Sequence, residues 1–155
     1  MTHRIQNILV PVDGSEHAGK AARYAAMLAE RLGAEMELLY VGPTNLPDLL
    51  DLPRGMKDFA TLDRASHEAF ADLARKAARQ AFDVARKAMG TETVSPDTLL
   101  RNGDPGEQIV ERANELPDCM IVIASRGQGR VRKLLLGSVT NHVVHKAECP
   151  VLVVH

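Results

Sequence analysis

Short apolar runs alternate with longer segments of helical spacing along the chain. The runs lie at Ile5–Val12, Met36–Val41, Thr98–Arg101, Met120–Ala124 and Val151–Val154 and are rich in Val, Ile and Leu. Continuous apolar character of this kind belongs to strands covered on both faces. Between the runs, Ala18, Ala21, Ala22, Ala25, Leu28, Ala29 and Leu32 recur at i, i+3, i+4 and i+7, as do Phe70, Leu73, Ala74, Ala77, Ala81, Val84 and Ala85. Each set describes a helix with one apolar stripe. On the second helix Asp72 precedes Lys76, and Asp83 precedes Lys87, by four residues, which predicts ion pairs on a solvated outer face. A third helix is announced by Asp104-Pro105-Gly106-Glu107. Asp104 suits the cap, Pro105 the first helical position and Glu107 the acid of a capping box, after which Ile109, Val110 and Ala113 face inward. The last helix is expected from Gly137 or Ser138 to about Ala147, stopped by Cys149-Pro150 before the final strand.

This alternation predicts an α/β fold, because parallel neighbours need a crossover that packs back onto the sheet. The expected architecture is a Rossmann-like doubly wound sheet of about five parallel strands with four helices. All 155 residues are expected to form a single domain, 1–155, a length that buries about 70% of the surface of the unfolded chain. Residues 42–61, GPTNLPDLLDLPRGMKDFAT, hold three prolines and no clear period, so a long surface loop is expected there, with room for one helical turn.

Composition narrows the classes of function. Apolar residues make up 45% and charged residues 25%, with only 3% aromatic, so the chain is an ordinary globular sequence with an aliphatic core. Lys and Arg number 19 against 20 Asp and Glu, which leaves no global positive field to hold a nucleic-acid backbone. The start MTHRIQNILVPV is too soon interrupted by Pro11 and Asp13 for a signal peptide. No run approaches the roughly 20 apolar residues of a membrane span, and a cytoplasmic location without membrane partners is expected. Cys119 and Cys149 lack a CxxC spacing and flank two apolar runs, which suits free buried thiols better than a disulfide framework.

Ligands of open doubly wound sheets bind outside the carboxyl ends of the strands. Four segments lie there: Pro11-Val12-Asp13-Gly14-Ser15, Val41-Gly42-Pro43, Asn102-Gly103-Asp104-Pro105, and ASRGQGRVRKLLLGS at 124–138. In the last, Gly127 and Gly129 admit close backbone approach, and Gly137-Ser138 opens a helix whose N–H groups favour an anion. Arg126, Arg130, Arg132 and Lys133 add positive charge. Neither GxGxxG nor GxxxxGK[ST] is present, so a phosphate cradle and a solvated basic loop are both open readings. Asp13 is equally double: it suits the hydroxyls of a ribose or the edge of an adenine, and also an Asx-turn or cap with Gly14 and Ser15, where Ser15 competes for the cap. His142 and His145, three apart on the last helix, lack a third ligand in register, so solvated or partly packed rings are expected and no metal site.

Three stretches converge on one family: ILVPVDGSE at 8–16, GDPGEQIVERA at 103–113 and IASRGQGRVRKLLLGSVTNHVVHKAECPVLVV at 123–154. The chain resembles the universal stress proteins over its whole length, apart from the 42–61 loop. The family's nucleotide-binding branch carries Gly-x2-Gly-x9-Gly-Ser/Thr, which is met here from Gly127 to Gly137-Ser138, with Ala124 in place of the first glycine. A methyl at that place crowds a phosphate if the position needs positive φ. The resemblance implies that Asp13 and the backbone of Val41 contact adenine in a pocket lined by Pro11 and Val12. It implies that Ala124, Arg126, Gly127 and the amides of Gly137, Ser138 and Val139 hold ribose and phosphates, with Thr140 nearby. The implied ligand is ATP, or ADP or AMP, with Mg²⁺ riding on the phosphates. The implied assembly is a homodimer through strand Val151–Val154, and a short apolar edge strand wants such cover on physical grounds too. The expected role is a stress or energy sensor that signals to a regulatory protein partner. Two alternatives stand beside it: a dimeric interaction module of this fold without nucleotide, and a slow ATPase or ATP-dependent transferase with the 42–61 loop as lid. No nucleophile–base pair or carboxylate dyad can be read from the sequence, so any hydrolysis is expected to be slow.

Overall fold

A computed structural model of the protein describes residues 4–44, 64–90, 93–127 and 136–155. Nearly all of the 42–61 loop, with Gly129, Arg130, Arg132 and Lys133, lies outside the described residues. Strand β1 is Asn7–Pro11, helix α1 Glu16–Leu32, β2 Glu35–Gly42, α2 Arg64–Met89, β3 Asp97–Asn102, α3 Pro105–Glu115, β4 Cys119–Ala124, α4 Ser138–Lys146 and β5 Val151–Val154. The five strands form one sheet in the order β3-β2-β1-β4-β5, and every pairing is parallel. Among the described residues, the α/β doubly wound fold with four helices is therefore the one that the pattern of the sequence predicts.

Side chains alternate across the strands and supply two cores. Ile8, Val10, Val122 and Ala124 join the alanines of α1 and α2 on one face. Leu9, Ile121 and Ile123 join Ile109, Ala113 and Val143 beneath α3 and α4 on the other. Residues Ile8, Leu9 and Val10 are all fully buried, which is why the strand reads as an unbroken apolar run, and each such side chain stabilises the fold by about 1.5–3 kcal/mol.

The helices start and stop where local chemistry dictates. Ser15 caps α1 by accepting the Ala18 N–H at 3.1 Å, and Gly33 closes the helix in the left-handed conformation at φ 64°, which a glycine adopts without a Cβ penalty. Asp104 caps α3 by accepting the Glu107 N–H at 3.0 Å, with Pro105 at the first position. Helix α2 departs from expectation in two ways. Leu73 and Val84 are exposed, and the buried stripe runs instead through Phe70, Ala74, Ala78, Ala81, Phe82, Ala85 and Met89. This is the ridge that approaches α1, where a β-carbon on Gly19 would stand 2.9 Å from the Ala88 Cβ. Asp72 and Asp83 pair with Arg75 and Arg86 one turn on, at i,i+3, rather than with Lys76 and Lys87, because the guanidinium reaches the carboxylate from the nearer residue.

A partly buried ion pair ties the second helical layer to the sheet. Arg112 of α3 donates from Nε and Nη2 to both oxygens of Glu37 on β2, at 2.8 and 2.7 Å. Glu115 then joins Arg112 to Arg101 of β3.

Helices α3 and α4 meet where Gly106 lies under the ring of His142. A β-carbon on Gly106 would stand 2.7–3.1 Å from three atoms of that side chain. Gly106→Ala is therefore expected to lower stability by about 1–3 kcal/mol through overpacking, against the gain of about 1 kcal/mol that alanine brings to an open helical site. Urea unfolding measures this, and adding His142→Ala should restore most of the loss.

Candidate functional site

The order of strands reverses at the centre of the sheet: from β1 the chain winds outward through β2 and β3, then returns to β4 beside β1. Chains that leave β1 and β4 on opposite faces open a crevice at their carboxyl ends, where doubly wound sheets bind ligands. A cavity of about 330 Å³ lies there. Its wall includes all eleven residues singled out from the sequence: Pro11, Val12, Asp13 and Val41, then Ala124, Arg126 and Gly127, and finally Gly137, Ser138, Val139 and Thr140. Ala18, Leu39, Pro105, Ile109 and Ile123 complete it. The sequence gives no functional signal for these five, because apolar periodic positions and a helix-initiating proline look the same whether they face a core or a cavity.

The carboxylate of Asp13 meets both readings made of it. Its Oδ1 accepts the Ser15 N–H at 2.9 Å, which is the Asx-turn, and Ser15 takes the cap of α1. Its Oδ2 lies only 2.3 Å from where a β-carbon on Gly127 would stand. Gly127 is thus required by a close approach between two segments 114 residues apart in sequence (127 minus 13), and any side chain there displaces the carboxylate. Tyr40 stands beside this group on β2. Burial first, and then the negative charge of Asp13, raise its phenol above the usual value, so it remains a protonated hydroxyl at neutral pH. A wider recess of about 770 Å³ between β2 and α2 shares Asp13 and Val41 with the first and adds Tyr40, Gln80 and Lys87.

Three hydrogen bonds fix the far wall. The Gly137 N–H donates to the Ser125 carbonyl at 2.8 Å, and the Ser125 N–H to the Val154 carbonyl at 2.8 Å. Thr140, buried, donates from Oγ1 to the Ala124 carbonyl at 2.7 Å. The first turn of α4 is thereby held against the end of β4. Gly137 is its cap residue, with no side chain to supply a capping bond, unlike Ser15 on α1 and Asp104 on α3. A β-carbon on Gly137 would lie 3.3 Å from the Arg126 Cα, so the tight return also favours glycine.

Ala124 ends strand β4, and among the described residues the only positive φ outside glycine is at Asp118. Its methyl packs with Val10, Val12 and Val154 in the layer beneath α1, whereas α4 builds on the opposite face of the sheet. The alanine therefore needs no positive φ, the condition under which its methyl would crowd a phosphate.

The paired histidines take structural places. His142 is half-buried against Gly106, and the exposed His145 has Nδ1 2.8 Å from the Asn141 carbonyl. Among the described residues no three His, Cys, Asp or Glu side chains gather as metal ligands, and no helix is long and apolar enough to cross a membrane.

This arrangement of fold and cavity can be set beside known proteins. Residues 4–155 match the model of the universal stress protein family. A universal stress protein from Thermus aquaticus is 33% identical over 150 residues, covering 96% of this chain and 98% of its own. The structure of universal stress protein UspA from Lactobacillus plantarum superposes with a TM-score of 0.73 at 29% identity, covering 98% and 99% of the two chains. A universal stress protein from Archaeoglobus fulgidus, solved in complex with dAMP, shares the fold at a TM-score of 0.59 and 21% identity, covering 98% of this chain and 99% of that one. With its central strand-order reversal, its cavity and a family match that spans nearly every residue, this chain belongs to the universal stress protein family.

Proposed function

We propose that this protein binds an adenine nucleotide, ATP in the first place, in the cavity at the ends of β1 and β4, and that as a homodimer it reports stress or energy state to a protein partner. The observation that carries the reading is the uncapped start of α4: helix amides and the positive end of a helix dipole open onto a cavity large enough for a small ligand. A glycine cap residue leaves that end to an anion, where the other capped helices use a serine or an aspartate. The relative from Archaeoglobus fulgidus that was solved with dAMP supports the same chemical class of ligand.

In this reading Asp13 and the backbone of Val41 face the base, with Pro11 and Val12 against its plane. Arg126, Gly127 and the amides of Ser138 and Val139 face ribose and phosphates; the Gly137 N–H, expected to join them, is held by the Ser125 carbonyl, and Thr140 holds the helix start in place through Ala124. Arg126 contributes positive charge to the phosphates. Mg²⁺ would be held mainly by phosphate oxygens, as hard cations with few protein ligands are. Binding and release of nucleotide constitute the function, and no chemical step is required of the protein.

The dimer forms along β5 in this reading. That strand is the edge of the sheet, and Leu152 is 37% exposed on it. Exposed apolar edges recruit a second strand.

Denatured protein should release ATP, ADP or AMP detectable by mass spectrometry, and calorimetry should register ATP binding; no nucleotide and no heat up to millimolar ATP would overturn the reading. Gly127→Val should weaken ATP binding at least tenfold, about 1.4 kcal/mol, with the dimer intact, and Asp13→Ala should narrow the preference for ATP over GTP. Leu152→Asp should shift the sedimentation equilibrium from dimer to monomer, since a charge on an edge strand opposes pairing.

A further inference from the structure

At the end of the sheet opposite the nucleotide cavity, the starts of β4 and β5 bring the two cysteines together. The parallel register pairs Ile121 with Val151, and the Ile121 N–H donates to the Pro150 carbonyl at 2.9 Å. Two residues back along each chain, Cys119 stands beside Cys149. Cys149 lies at the bend two residues before β5, and a disulfide to Cys119 calls for a Cα separation of about 4.4–6.8 Å. Both side chains are on one face: Cys119 is buried in the layer beneath α3 and α4, and Cys149 packs against that same layer. Each thiol is near enough to shift the titration of the other. Both line a cavity of about 310 Å³, rimmed by Arg4, Asp118, Glu148 and Pro150. Cys119 is only 4% exposed, whereas Cys149 is half-buried, so a small molecule entering the cavity meets Cys149 first.

We propose that Cys119 and Cys149 form a reversible dithiol–disulfide pair that takes hydrogen peroxide as oxidant and a low-molecular-weight thiol as reductant. The Cys149 thiolate attacks a peroxide oxygen, the O–O bond breaks, and the hydroxide that leaves takes up the thiol proton as water. The resulting sulfenic acid is then attacked by the Cys119 sulfur; the S–S bond forms, the S–O bond breaks, and the Cys119 proton leaves with that hydroxide as a second water. Two thiols lose two electrons and two protons, and one peroxide becomes two waters. The shared layer and cavity of the two thiols favour this second step over further oxidation of Cys149.

Burial pushes both thiols up, Cys119 to about 12, with the proximity of Cys149 and the charge of Glu37 adding to it. Arg4, Asp118 and Glu148 face the same cavity. The thiolate is a minor species at neutral pH, so oxidation is slow there and quickens about tenfold for each unit of pH below the Cys149 value. The link would tie the edge strand β5 covalently to β4 and is independent of nucleotide.

The test is treatment of the folded, full-length protein with hydrogen peroxide, followed by alkylation and tandem mass spectrometry. The expected result is loss of both thiols with a Cys119–Cys149 link inside one chain, reversed by dithiothreitol. In Cys119→Ser the link should be absent, with Cys149 trapped by dimedone as the sulfenic acid. Two thiols still open to alkylation after millimolar peroxide would overturn the proposal. So would a link only between chains, or sulfinic acid on Cys149 of the parent protein with no link.

Discussion

The attachment of α4 to the end of β4 is the constraint on which the candidate site depends. Ser125 accepts from Gly137 and Thr140 donates to the carbonyl of Ala124, so the start of α4 is held at the end of β4. Buried polar groups that lose such partners cost about 1–3 kcal/mol each, so the helix start is positioned by the same energetics that stabilise the core. A ligand that binds its amides meets them already oriented, and does not have to order them.

A second constraint makes that position useful. Parallel strands require crossovers, and right-handed crossovers from a central β1 send one half of the chain to each edge. The ends of β1 and β4 are therefore neighbours whose chains leave on opposite faces, with the turn at Asp13 on one side and the loop after Ala124 on the other. The close approach of the Asp13 carboxylate to Gly127 expresses this arrangement at atomic scale. The requirement for glycine there arises from a contact across the crevice, with no need for an unusual backbone conformation.

Burial accounts for the balance between the two ends of the sheet. The carboxyl end carries the open helix start and the half-buried Asp13, and the amino end carries two thiols in a mainly apolar layer. The Glu37–Arg112 pair spans β2 and α3 and holds the second helical layer in register over the strands. It satisfies both charges with a bidentate geometry that a lysine does not reproduce.

Strand and helix identity and the doubly wound class were legible in the sequence, because buried parallel strands leave unbroken aliphatic runs and helices leave a 3.6-residue period; eleven residues of the cavity wall came instead from the resemblance to the universal stress proteins, and the other five did not. Caps were legible at Ser15 and Asp104 for the same reason: their chemistry is local. The face of α2 was not, since Leu73 and Val84 fit the period as well as Ala78 and Phe82 do, and only the docking against α1 selects between them. Nor was the meaning of Ala124, whose methyl is directed to one side of the sheet by alternation counted from the core, or the meeting of Cys119 with Cys149, which depends on the register of β4 and β5. Local sequence determined what each segment becomes, because propensity, capping and period act over a few residues. Tertiary structure decided which distant segments touch, because strand order and register are set by the packing of both layers at once.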